Sequence, residues 1–166
     1  VLKDSVVAWD PYAMVLLSGI LVDGQYALWI RELRDTEKVL DNIGIFYDPF
    51  SRHTNSFTIW AVPAKGVSLQ KLERILLDRI EKLKTTQLGA DELKRAKARF
   101  LSQFVFEQDD GQDFGNALGS VLGSGHRYSV YKNQGEKLMA IDAKKIQSSV
   151  KRLMIRGSLV TVFSGE

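Results

Sequence analysis

The period of the apolar positions changes several times along the chain, and each change marks an element. Asp10-Pro11 predicts a helix start, with Asp as the cap and Pro at the first helical position, where its missing N–H costs nothing. The apolar run from Ala13 to Leu21 continues that helix to about Asp23-Gly24, and its interruption by Ser18 and Gly19 suits a core helix better than a membrane span. From Tyr26 to Arg34 the spacing stays helical, with Trp29, Ile30 and Leu33 facing inward. The period then drops to two. Ile43 to Phe50 and Phe57 to Val62 read as strands, and in the second Phe57, Ile59 and Ala61 alternate with Thr58, Trp60 and Val62. Asp48-Pro49 and Ser51 to Ser56 form the polar connection of a hairpin.

Beyond the turn Ala64-Lys65-Gly66 the helical period returns. Ser68 caps a helix whose apolar stripe is Leu72, Ile75, Leu76, Ile80 and Leu83. Gly89, with Glu92 three residues on, opens a second, in which Leu93, Ala96, Phe100, Leu101 and Phe104 face inward. Asp109 to Asp113 interrupts it, and Phe114 to Leu122 follows as another helix before a loop at Gly123 to Arg127. A final helix, Ala143 to Met154, hands over through Gly157 to a strand at Leu159 to Phe163. Clustered strands and segregated helices make the fold class α+β, a mostly antiparallel sheet with helices packed on one face. The 166 residues suffice for one domain with its own core, and the start at Val1 without Met suggests a domain, 1–166, cut from a longer chain.

Composition narrows the function classes. The chain is 45% hydrophobic and 26% charged, and its 23 basic and 20 acidic residues leave a net charge of +3, spread without the Lys/Arg run of a nucleic-acid binder. There is no Cys, which excludes disulfides, thiol chemistry and thiolate metal ligands while leaving the compartment open. Zinc hydrolysis needs ligands at fixed spacing, commonly two His one helical turn apart beside a Glu; His53 and His126 lie in separate polar loops, and neither has an HExxH or HxxEH context. Ser124 in Gly123-Ser124-Gly125, with His126 close by, lacks the strand-to-helix setting of a nucleophile elbow. The acidic run Glu107 to Asp113 fails the EF-hand register, and Asp110 reads better as a helix cap with Asp113 three residues on. Gly115, Gly119 and Gly123 lack the rest of a phosphate loop and predict a small-residue face for close helix packing. Catalytic and metal residues are therefore assigned to none.

Four stretches in order carry a resemblance. Ile20-Leu21, Gly24, Arg31-Glu32-Leu33-Arg34, Ile43-Gly44 and Tyr47-Asp48-Pro49 follow without a gap the pattern IL-GGGxSSRL-xxEL-REExGLAYSVGAxYxP. Phe57 to Leu76, Gly89 to Phe104 and Ala140 to Met154 match a strand–turn–helix, a long helix and a late helix. Together they resemble the C-terminal, non-catalytic domain of pitrilysin/insulinase-type zinc metallopeptidases, in the bacterial processing-peptidase-like branch. The resemblance implies a domain that walls a peptide chamber and docks against a zinc-bearing catalytic domain of the same or a companion chain. The cofactor zinc would then belong to that partner, and extended peptide would be the substrate. It also points to a bacterial periplasm or cytoplasm.

In some members of that family an Arg and, seven residues later, a Tyr hold the substrate at the scissile bond. By resemblance Arg34 takes the first place and Asp41 the second, which makes Arg34 and Asp41 the candidate substrate-binding residues. Lys38 stands where Gly is usual, and Tyr26, Ala27 and Leu28 replace Ser-Ser-Arg. A Tyr hydroxyl can donate to a developing oxyanion, whereas an ionised Asp can only accept. These departures keep a second reading open, a degenerate domain serving as an assembly or interaction scaffold without substrate contact. A stand-alone hydrolase using Ser124 and His126 is the third.

Overall fold

In a computed structural model, residues 8–51 and 55–164 are described. The first helix, α1 (Asp10–Val22), is the centre of the molecule, with Tyr12, Ala13, Met14, Leu16, Leu17, Ile20 and Leu21 all buried. A helix apolar on nearly every side must be covered on nearly every side. α3 (Ala90–Asp109), α6 (Gln134–Met139), α7 (Ala143–Leu153) and the strand β1 (Leu40–Phe46) provide that cover. Asp10 is not the cap of α1. Trp9 holds that position and accepts the first helical bond, from the Ala13 N–H, while Asp10 lies inside the first turn with its carboxylate buried against α7.

β1 pairs antiparallel with β2 (Thr58–Pro63), giving a two-stranded sheet among the described residues. The α+β class holds, with the sheet's inner face turned to the helices. Ile43 lies opposite Ala61 and Ile45 opposite Ile59 on that face; Gly44 opposite Trp60 and Phe46 opposite Thr58 lie on the other. The register shifts between Leu40 and Asn42, so Asp41 is an extra residue, a β-bulge. The bulge has a packing reason. Strict alternation inward from Ile45 and Ile43 would carry Leu40 to the outer face, and one extra residue returns it to the core, where it is buried opposite Pro63.

The capping chemistry read from the sequence is in place elsewhere. Ser68 Oγ accepts from the Lys71 N–H at the start of α2 (Leu69–Thr85), and Glu92 accepts from the Gly89 N–H at the start of α3. Asp110 accepts from the Gln112 and Asp113 N–H groups at the start of α4 (Gly111–Gly123). A short α5 (Tyr128–Lys132) leads into α6 and α7.

Two further expectations need correction. Gly115, Gly119 and Gly123 do not allow close packing, because a Cβ built at any of them would meet nothing within 4 Å. Their face of α4 is open. Leu159 to Phe163 is not a strand: it has no ladder partner among the described residues, and Val160 and Val162 are each 83% exposed. No helix among the described residues is long and apolar enough to cross a membrane.

Candidate substrate-binding turn

Arg34 and Asp41 lie on one continuous piece of irregular backbone. After α1 the chain turns at Gly24 and enters a π-helical segment, Ile30–Thr36, which buries Ile30 and Leu33 and leaves Arg34 exposed. The segment ends with the Glu37 N–H donating to the Glu32 carbonyl at 2.9 Å, a bond over five residues. Lys38 follows with φ of +54°, in the left-handed region. The Val39 N–H then donates to the Leu33 carbonyl at 3.0 Å, which draws the ends of the turn together. Arg34 thus lies within a closed loop and the bulged Asp41 just after it, both exposed to solvent. A π turn, a left-handed non-glycine residue and a bulge each cost backbone free energy, and such features cluster at functional sites.

The side chains set what this turn can do. Arg34 donates from Nε to Asp35 Oδ1 at 2.8 Å. That bond holds the guanidinium pKa above its ordinary value and uses the inner nitrogen rather than the two outer ones. Asp41 can accept but not donate, so the pair offers one cation and one acceptor. At Lys38 the left-handed conformation favours Gly, since a Cβ costs roughly 1 kcal/mol there and none with Gly. Lys38→Gly is expected to stabilise the chain by up to about 1 kcal/mol, read as a rise in the urea midpoint. An unchanged or lower midpoint would show that the Lys38 side chain stabilises by other contacts.

The other sequence candidates are dispersed. His126 Nε2 lies 3.2 Å from the Phe50 carbonyl, and its ring meets Phe50 edge-on at 5.9 Å; the loop is held to the hairpin end by this contact. Ser124 ends α4 as its C-cap. His53 and its neighbours 52 and 54 lie outside the described residues. Among the described residues no group of three or more His, Asp or Glu side chains is arranged to hold a metal ion. Tyr131 donates to Glu107 Oε1 at 2.8 Å, and burial together with that carboxylate pushes its hydroxyl up to about 12, so it stays neutral at physiological pH.

Sequence reasoning missed Arg79. On α2 it ion-pairs with Glu32 Oε2 at 3.2 Å and with Glu37 Oε1, behind the turn that carries Arg34. The five-residue spacing of Glu32 and Glu37 falls outside the three or four that bring side chains together on an α-helix, so no α-helical pattern flags them as one pair. It missed too the apolar outer face of the hairpin, where Phe46, Trp60 and Val62 are 65%, 49% and 45% exposed.

Residues 5–100 match the family model described as the peptidase M16 inactive domain. No curated protein matches the chain. Among solved structures, the fold is shared with a candidate zinc protease from Bordetella pertussis Tohama I at 19% identity, covering 90% of this chain and 82% of that one, with a TM-score of 0.78. It is shared with the inactive peptidase domain of a candidate zinc protease from Bordetella parapertussis at 16% identity, covering 96% and 86%, with a TM-score of 0.79. A protease from Helicobacter pylori matches at 15% identity and a TM-score of 0.76, over 86% of this chain and 34% of that one. The chain therefore spans about a third of the Helicobacter pylori protein.

Proposed function

Because the chain belongs to the family of the peptidase M16 inactive domain, we propose that it is the non-catalytic part of a zinc metalloendopeptidase, docking against a zinc-bearing domain and contributing a wall of its peptide chamber. In this reading the turn at Arg34 holds the substrate backbone, and the outer face of the hairpin supplies apolar contact for its side chains. The observation that carries it is the set of backbone irregularities between Ile30 and Asp41, which presents Arg34 to solvent from a turn whose neighbours Ile30 and Leu33 are buried. An exposed guanidinium can donate to a peptide carbonyl or carboxylate from its outer nitrogens. Asp41 accepts an N–H or orients the peptide and stabilises no oxyanion. The zinc and its activated water belong to the partner domain.

The test is peptide affinity. A fluorescein-labelled unstructured peptide with a central Leu-Leu pair should bind this chain, and Arg34→Ala should weaken it by about tenfold, the loss of one charge-assisted hydrogen bond. The chain alone, supplied with zinc, should not cleave that peptide. Chelator-sensitive cleavage by the pure chain would overturn the non-catalytic assignment. The scaffold reading is favoured by the Arg34–Asp35 bond, which already engages the cation within the turn. Unchanged affinity in Arg34→Ala would decide for it.

A further inference from the structure

The backbone bond that ends the π segment carrying Arg34 and the ion pairs of Arg79 join the same two residues. The Glu37 N–H donates to the Glu32 carbonyl, and the guanidinium of Arg79 reaches Glu32 Oε2 with Nη1 and Glu37 Oε1 with Nη2. One cation thus closes through side chains the last ring of the segment, the one that this main-chain bond also closes. The Arg79 side chain is 18% exposed, against 34% and 38% for the glutamates, so the bridge is screened less than a surface pair. It is anchored on α2, a helix of 17 residues with a Ser68 cap and with Leu72 and Leu83 in the core. Its planar fork suits two carboxylates at once.

The direction of Arg34 depends on this arrangement. A π turn holds one more residue than an α turn, and relaxing it to α geometry would rotate the following side chains by roughly 100° about the helix axis. Arg34 lies between the two glutamates, within the ring that would relax. We propose that Arg79 is a positioning residue: by bridging Glu32 and Glu37 it keeps the segment in its π register and so aims Arg34 at the peptide. The aim at peptide rests on the reading of Arg34 given above, whereas the hold on the turn does not.

Two measurements on the full chain separate the hold from the aim. Hydrogen exchange at the Glu37 amide reports the turn directly. Arg79→Ala should speed it by about tenfold relative to amides in the middle of α1, and Arg79→Lys should recover part of the protection, since one ammonium replaces the fork. Affinity for the same fluorescein-labelled peptide reports the aim. Arg79→Ala should weaken binding about fivefold in the parent chain and add nothing in the Arg34→Ala background, the signature of a residue acting through another. Should Arg79→Ala fail to fold, Glu37→Gln removes one carboxylate from an exposed position and should give the same pattern. Unchanged Glu37 exchange would overturn the hold. A loss of affinity that persists in full without Arg34 would overturn the aim, because Arg79 would then act on peptide by another route. A silent Arg34→Ala would remove the peptide grip and the aim together, and Glu37 exchange would still decide the hold.

Discussion

Asp10→Ala should destabilise the chain by about 3 kcal/mol, the low end for breaking a buried ion pair. Asp10 is 1% exposed, and its Oδ1 accepts from Ser149 Oγ at 2.5 Å and from Arg152 Nη2. Both partners are on α7, so this carboxylate pins the start of the central helix to the last helix, across most of the sequence. Removing it takes a partner from two groups of different burial, of which Arg152 keeps its bond to Ser148 Oγ. Arg152 is 28% exposed and can turn toward water, which limits that part of the cost. Ser149 is fully buried and would lose its acceptor, at about 1–3 kcal/mol for an unsatisfied buried polar group. The carboxylate also lies in the first turn of α1, where a negative charge favours the helix by up to about 1 kcal/mol. Asp10→Asn keeps an acceptor but not the charge, and about half the loss is expected. Urea unfolding should show a lower midpoint at unchanged slope, and Ser149→Ala should cost less in the Asp10→Ala background than alone. A loss below about 1 kcal/mol would mean that α7 is held to α1 by apolar contact alone.

The Asp10 interaction marks the limit of what the sequence makes legible. Asp-Pro locates the helix start to within one residue, but an Asp in a first turn reads as a dipole or capping charge. Only the packing of α7, more than a hundred residues away, shows it to be buried. Local signals did well where the physics is local. Trp29, Ile30 and Leu33 are buried as their spacing requires, and the Ser68, Glu92 and Asp110 caps form. The bulge was not read, because a strand begun at Ile43 leaves Leu40 and Asp41 outside the pairing. Nor was the π turn, because Trp29, Ile30 and Leu33 fit an α-helical face equally well. Gly115 and Gly119 show the converse failure, since spacing reveals a smooth face but not whether anything lies against it. Leu159 to Phe163 has the composition of a strand and lacks what composition cannot supply, a neighbour to pair with among the described residues. For the candidate site, Arg34 and Asp41 came from resemblance alone, and the geometry adds the closed turn around Arg34 and Arg79 behind it.

Gly44→Val should displace Trp60 and destabilise the hairpin by about 1–3 kcal/mol, the usual cost of overpacking. Gly44 lies opposite Trp60 in the ladder, and a Cβ on Gly44 would fall 2.4 Å from the indole Cε2. No ordinary contact is so short, so the ring must leave its place across the strand pair. The sign of the effect can be reversed. Val is a better strand residue than Gly by intrinsic preference, and a Gly in a strand interior weakens it. In a Trp60→Ala background, where the ring is gone, the same Gly44→Val change should therefore stabilise, by up to about 1 kcal/mol. Urea unfolding of the four variants measures this reversal. Trp29 and Trp9 are at least half-hidden in the core, so a red shift of tryptophan emission in Gly44→Val would report Trp60 moving into water. The outer face then becomes testable. Phe46, Trp60 and Val62 stand exposed together on the side of the sheet away from α1, and displacing the central indole should weaken the labelled peptide without touching Arg34. If affinity falls in Gly44→Val and the loss adds to that of Arg34→Ala, the apolar face and the turn contact different parts of one peptide. Unchanged affinity alongside the red shift would take the hairpin face out of the chamber and leave the turn as the sole contact.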